Sequence, residues 1–118
     1  MSNSYEEIER IARKFIMGEP VSQDVEISEG VTFHFDNPFE EDLQERYVVA
    51  SLLVNKSKYN DFESNPYELQ DIDELDEIDS KIDAALRNGG FKDVSPAEYD
   101  KTNSNDFDFV FQYTLILN

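Results

Sequence analysis

Residues Tyr67 to Phe91, YELQDIDELDEIDSKIDAALRNGGF, decide the fold. Their apolar side chains stand at Leu69, Ile72, Leu75, Ile78, Ile82, Ala85 and Leu86. Steps of three and four put these on one stripe of a helix that turns every 3.6 residues, so the spacing predicts an amphipathic helix across the stretch. Asn88-Gly89-Gly90 predicts its end. Glycine accepts the left-handed conformation that closes a helix, and Phe91 then folds back onto the last turn. Glu77 and Lys81, and Asp83 and Arg87, are four residues apart, a spacing at which opposite charges meet for about 0.2–0.5 kcal/mol per pair.

An apolar stripe needs a surface to cover, and the flanking sequence supplies strands. Tyr47 to Asn55, YVVASLLVN, is nearly all apolar and reads as a central strand covered on both faces. In Phe107 to Leu117 one face carries Phe107, Phe109, Phe111, Tyr113, Leu115 and Leu117. Val110 and Ile116 make its other face partly apolar, which predicts a strand inside a sheet or a covered edge. Val21 to Asp36 reads as a hairpin: Val25 and Ile27 alternate on one arm, Val31, Phe33 and Phe35 on the other, and Glu29-Gly30 turns between them. Asn37-Pro38 ends it, and Glu40, Glu41, Asp42 and Glu45 form an acidic loop. Ser4 to Met17 predicts another amphipathic helix. Ser4 and Glu7 fit a capping box, Tyr5, Ile8, Ile11, Ala12, Phe15 and Ile16 form the apolar face, and Gly18 and Pro20 stop it.

Together these elements give an α+β fold: two amphipathic helices packed on one face of a mainly antiparallel sheet of four or five strands, in the order α-β-β-β-α-(β)-β. The 118 residues make a single domain, 1–118, with a core expected at Ile8, Ile11, Phe15, Phe33, Phe35, Val49, Leu52, Ile72, Leu75, Ile78, Ile82, Phe109, Phe111 and Leu115. The nine Phe and six Tyr are far more aromatic residues than a disordered chain carries.

Composition then narrows function. With 27 acids against 10 bases the net charge is −17, which repels phosphate and excludes direct binding to nucleic acid or to an anionic membrane. There is no cysteine, hence no thiolate nucleophile, disulfide or Cys-based zinc site. MSNSYEEIE lacks the basic and apolar parts of a signal peptide, and no apolar run approaches a membrane span. The expected location is the cytoplasm of a host cell, or a virion.

Catalytic patterns are missing. His34 is the only histidine, sits on the outward side of the hairpin arm and has no partner visible in the sequence. No Gly-rich phosphate loop, G-x-S-x-G or H-E-x-x-H occurs. Read as a calcium loop starting at Asp71, the sequence places Asp76 where glycine is needed, Leu75 at the fifth position and Ile82 where a closing Glu is needed. Asn103 to Asp108 alternates oxygen ligands without a closing carboxylate. The sequence therefore predicts no enzyme, no metal and no cofactor.

The acids of the long helix are the candidate interaction face: Glu68, Asp71, Asp73, Glu74, Asp76, Glu77, Asp79 and Asp83. As one helix they would span about 22 Å at 1.5 Å per residue. One use is plain solvation. Another is contact with a protein bearing a basic surface, including imitation of DNA in the groove of a restriction or CRISPR effector.

Ile78 to Phe91, IDSKIDAALRNGGF, followed by Glu98-Tyr99-Asp100 and the strand Phe107 to Leu117, resembles phage tail-terminator (tail-completion) proteins. The resemblance is one of pattern: a helix ending Leu-x-x-x-Gly-Phe, an acidic loop and a terminal strand. It covers residues 46–117, with Tyr47 to Asn55 compatible; the hairpin at 21–36 and the acidic loop at 39–45 have no counterpart in it. It implies a small α+β subunit that self-associates into a ring capping a tail tube, through shape and charge and without a cofactor.

Overall fold

The first helix, α1, spans Ser4–Ile16 in a computed structural model of the chain, which describes residues 4–19, 23–35, 47–95, 97–102, 104 and 106–116. Ile8, Ile11, Ala12 and Phe15 are its buried positions, as the spacing requires. The capping-box reading changes: Ser4 is already helical, and its hydroxyl donates to the Glu26 carbonyl at 2.8 Å, tying the helix start to the hairpin. Arg10 pairs with Glu7 and Arg13 with Glu9 along the exposed side. Gly18, at φ 84°, takes the chain out of the helix.

The hairpin is β1 (Gln23–Ser28) and β2 (Val31–Phe35), with a bulge at Glu26/Ser28 and Gly30 at φ 81° in the turn. β3 (Tyr47–Asn55) pairs with β2, and β6 (Asp108–Ile116) pairs with β3 along its whole length. Between them in sequence come two 3-10 turns, Asn60–Phe62 and Pro66–Asp71, the helix α2 (Asp73–Asn88), and two short strands, β4 (Asp93–Val94) and β5 (Glu98–Tyr99), both on the free side of β6. All described pairings are antiparallel, and the order is β1-β2-β3-β6-β4. The α+β class stands, with six strands among the described residues; two short ones, β4 and β5, fall between α2 and β6, where the expected order carries a single optional strand. Leu117 and the acidic loop at 39–45 lie outside the described residues.

Three readings are corrected. First, Tyr67 to Phe91 is not one helix. Pro66 opens a 3-10 turn, Ile72 is extended at φ −78°, ψ 142°, and α2 begins at Asp73. Leu69 is fully buried by the 3-10 turn, whereas Ile72, expected in the core, is only partly buried. Second, β3 is not covered on both faces. Val48, Ala50, Leu52 and Val54 are buried under α1 and α2, while Val49 and Leu53 on the opposite side are partly exposed. Val49 thus leaves the expected core. Third, Phe107 precedes β6 and is 75% exposed.

The other expected core residues are buried, joined by Tyr113, Val48, Val54, Leu69 and Leu86. Rings fill the layer between helices and sheet: Phe33 meets Phe35 at 4.9 Å and Tyr113 at 5.6 Å, and Phe15 stacks on Phe35 at 5.4 Å. The end of α2 follows the glycine logic. Gly90 is left-handed at φ 116°, the Phe91 N–H donates to the Leu86 carbonyl at 3.2 Å, and Phe91 is buried. Gly89 has a different role. It is right-handed, and a Cβ there would lie 2.5 Å from the Ala12 Cβ and 2.9 Å from the Glu9 carbonyl. Its missing side chain lets α1 and α2 approach.

Candidate functional site

The eight acids do not form one row. Glu68 and Asp71 sit on the 3-10 turn, on the far side of the Ile72 break from the remaining six. Four of the eight are engaged on their own surroundings. Glu77 pairs with Lys81 at 3.0 Å, and the Lys81 ammonium lies 5.5 Å from the centre of the Tyr5 ring. Asp83 receives the Arg87 guanidinium at 3.1 and 3.2 Å, the i,i+4 contact its spacing predicts. Glu74 lies 3.9 Å from Lys58.

The fourth, Asp79, accepts a hydrogen bond from the Tyr113 hydroxyl at 2.5 Å, across from helix to sheet. Tyr113 is 1% exposed, and this burial, followed by the Asp79 charge, pushes its phenol well above the ordinary tyrosine range. Tyr59 behaves alike: burial, then the nearby Glu74 carboxylate, push it up to about 12. Asp79 and Tyr113 line both a cavity of about 30 Å³ over Leu75 and Phe111 and an open groove of about 340 Å³ between α2 and β4. In that groove Asp83 and Arg87 hold each other, and Arg87 also reaches the Lys92 and Val94 carbonyls at 3.4 and 3.5 Å. Its polar atoms close on one another and staple α2 to the sheet end. Glu68, Asp71, Asp73 and Asp76 remain exposed, with no ion pair or hydrogen bond from their side chains among the described residues.

No three His, Asp or Glu side chains cluster to hold a metal among the described residues. Asn103 and Asn105 of the oxygen-rich 103–108 stretch lie outside them. His34 does have a partner, invisible in the sequence because it is cross-strand: its Nδ1 meets the Asp24 carboxylate, and the two residues stand opposite each other in β1 and β2.

The surface that sequence reasoning missed is the sheet face opposite α1 and α2, on which no helix packs among the described residues. Its cross-strand rows are Thr32–Leu53–Val110, His34–Ser51–Gln112, Val49–Thr114 and Tyr47–Ile116. The outer strands extend three of these rows with carboxylates: Glu26 stands beside Thr32, Asp24 beside His34, Glu98 beside Gln112 and Asp93 beside Ile116. The acids of this face thus stand on the outer strands β1, β4 and β5 and at the first position of β6, where Asp108 pairs with Asn55. Val110 is buried to 5% exposure yet stands outside the main core cluster, and Val49, Leu53 and Ile116 are partly exposed. The signal was present in the alternation of β3 and β6 but was hidden by the apolar residues of β3 on both sides.

No helix among the described residues is long and apolar enough to cross a membrane. Comparison with protein-family models, with curated proteins and with solved structures finds no match for this chain.

Proposed function

We propose that this is a non-catalytic, acidic phage protein that acts through protein–protein contacts, as a self-associating structural subunit of the tail-terminator type. The observation that carries the reading is the sheet face opposite α1 and α2, whose described residues set partly exposed Val49, Leu53 and Ile116 between outer strands that carry carboxylates. That distribution is the anatomy of an interface: a charge-depleted centre within a polar margin. The grooves, by contrast, are lined by residues bonded to each other. The resemblance of residues 46–117 to tail-terminator proteins adds the kind of assembly, a ring, and the site of action, a virion or the cytoplasm of the host cell. Light scattering across a concentration series tests it: a stable oligomer is expected, and a strict monomer at high concentration would sink the proposal.

A second reading has its own support. Glu68, Asp71, Asp73 and Asp76 are exposed and unpaired among the described residues, which favours a DNA-imitating inhibitor of a basic host defence protein. Such binding weakens steeply as salt rises. Replacing Asp73→Lys with Asp76→Lys should abolish inhibition of a restriction or CRISPR effector while the fold survives; inhibition left intact removes this reading.

A further inference from the structure

We infer that the cavity between α2, the 3-10 turn at Pro66–Asp71 and the start of β5 receives the end of a lysine side chain from a basic protein partner. The inference rests on the second reading above, that of a basic partner, and names the group which that partner inserts.

The cavity has a buried floor and a partly exposed rim. Leu52, Leu75, Phe111 and Tyr113 are buried, and Gln70, Asp79 and Ala97 are partly exposed. Its floor is therefore mostly apolar, with a carboxylate at the edge. Asp79 gives one oxygen to the Tyr113 hydroxyl, and its other oxygen accepts no hydrogen bond among the described residues. Tyr113 thus fixes the carboxylate and leaves it a free acceptor. Gln70 donates an amide N–H to the Ala97 carbonyl, which ties the turn to the start of β5 and keeps the side-chain carbonyl oxygen as a second acceptor. Two acceptors, one of them charged, over an apolar floor suit an ammonium on a methylene stem. The net charge of −17 draws cations to the chain from a distance. Size selects among them. At about 10–15 Å³ per water-sized sphere, about 30 Å³ holds two or three heavy atoms, which are the last carbons and the nitrogen of lysine. The planar, branched guanidinium of arginine is wider than this compact ammonium. A bare metal ion fits poorly, because calcium takes about six to eight oxygens and no three carboxylates converge among the described residues.

The test titrates the full, isotope-labelled chain with an acetylated and amidated Gly-Lys-Gly peptide, followed by NMR. Saturable shifts centred on Leu75, Ala97 and Phe111 are expected, with a Kd on the order of 1 mM for so few buried atoms. The matching Gly-Arg-Gly peptide, and n-propanol, which lacks the charge, should bind at least about tenfold more weakly. Asp79→Asn keeps the shape and removes the charge, and should weaken the lysine peptide about tenfold or more. Ala97→Leu narrows the rim while its backbone still accepts from Gln70, and should do the same, with circular dichroism unchanged in both variants. Asp73→Lys with Asp76→Lys acts only at a distance and should weaken the peptide by less than about threefold. Shifts that are absent in wild type, that fall evenly on the exposed acids of α2, or that survive Asp79→Asn and Ala97→Leu overturn the pocket and leave the basic-partner reading standing. Equal binding of the arginine peptide or of propanol overturns the choice of lysine. Free n-propylammonium binding more than about tenfold tighter than the peptide overturns a protein as its source. Effector inhibition left intact by Asp73→Lys with Asp76→Lys removes the basic-partner reading itself, even where the peptide binds.

Discussion

The two faces of one sheet are built from the same strands and obey different rules. The covered face is closed by α1 and α2 and carries Phe33, Phe35, Leu52, Phe111 and Tyr113, all nearly inaccessible. The opposite face alternates with it residue by residue, mixing Val49 and Leu53 with Ser51, Gln112 and His34. One face spends its side chains on folding. The other mixes partly exposed apolar side chains with polar ones. What separates them is the layer of helices, and that layer depends on α1 and α2 reaching each other and the sheet.

The comparison breaks first on the covered side. Phe33→Ala should cost about 3–5 kcal/mol in urea denaturation, through lost burial and the cavity left among Phe35 and Tyr113. An effect no larger than that of Val49→Ala on the other face would mean the faces do not differ as described. Next is the helix contact. Gly89→Ala should destabilise by about 1–3 kcal/mol, because its Cβ has no room against Ala12 and the Glu9 carbonyl. Adding Ala12→Gly should restore part of the loss in a double-mutant cycle.

The staple between α2 and the sheet follows. Tyr113→Phe should cost about 1–2 kcal/mol at neutral pH by removing a donor to a carboxylate. Its pH signature is distinctive. The native phenol titrates above its unfolded value near 10, so the native state holds the proton that the unfolded state has lost. Stability is therefore fully present below about pH 10 and falls as pH rises beyond it, by up to about 1.4 kcal/mol per pH unit for this group. Tyr113→Phe should shallow that alkaline slope, leaving the part due to Tyr59. The smallest effect is on the opposite face. Leu53→Lys should change the unfolding free energy in urea denaturation by less than about 1 kcal/mol.

Much of the fold was legible because helices and strands announce themselves by period. Ile8, Ile11 and Phe15 in α1, Leu75, Ile78 and Ile82 in α2, and Phe109, Phe111 and Leu115 in β6 all stand where spacing put them. Ile72 misled because it keeps the stripe in register across Pro66–Asp71, where Leu69 is buried by a 3-10 turn rather than an α-helix. Val49 misled because a one-sided strand with apolar residues on both sides reads as a two-sided one. For the candidate site the sequence supplied the local ion pairs, Glu77–Lys81 and Asp83–Arg87, since four residues of spacing suffice to bring those together. It could not supply Tyr113–Asp79, His34–Asp24 or the need for glycine at position 89. Each depends on which element lies against which, and no local pattern carries that. The cross-strand rows of the opposite face became visible only once register fixed which side chains are neighbours.

The place of β6 bears on how the chain is made. It follows every other described element in sequence, yet it lies between β3 and the short strands at the sheet edge. While the protein emerges from a ribosome, α1, the β1-β2-β3 meander and α2 appear before the strand that completes the layer beneath them. Until Asp108–Ile116 arrives, Tyr47–Asn55 is an apolar edge strand with open hydrogen-bonding groups, the kind of segment that aggregates or recruits chaperones. Translation stalled before β6 should therefore leave a sticky chain, which the nine residues of β6 would relieve.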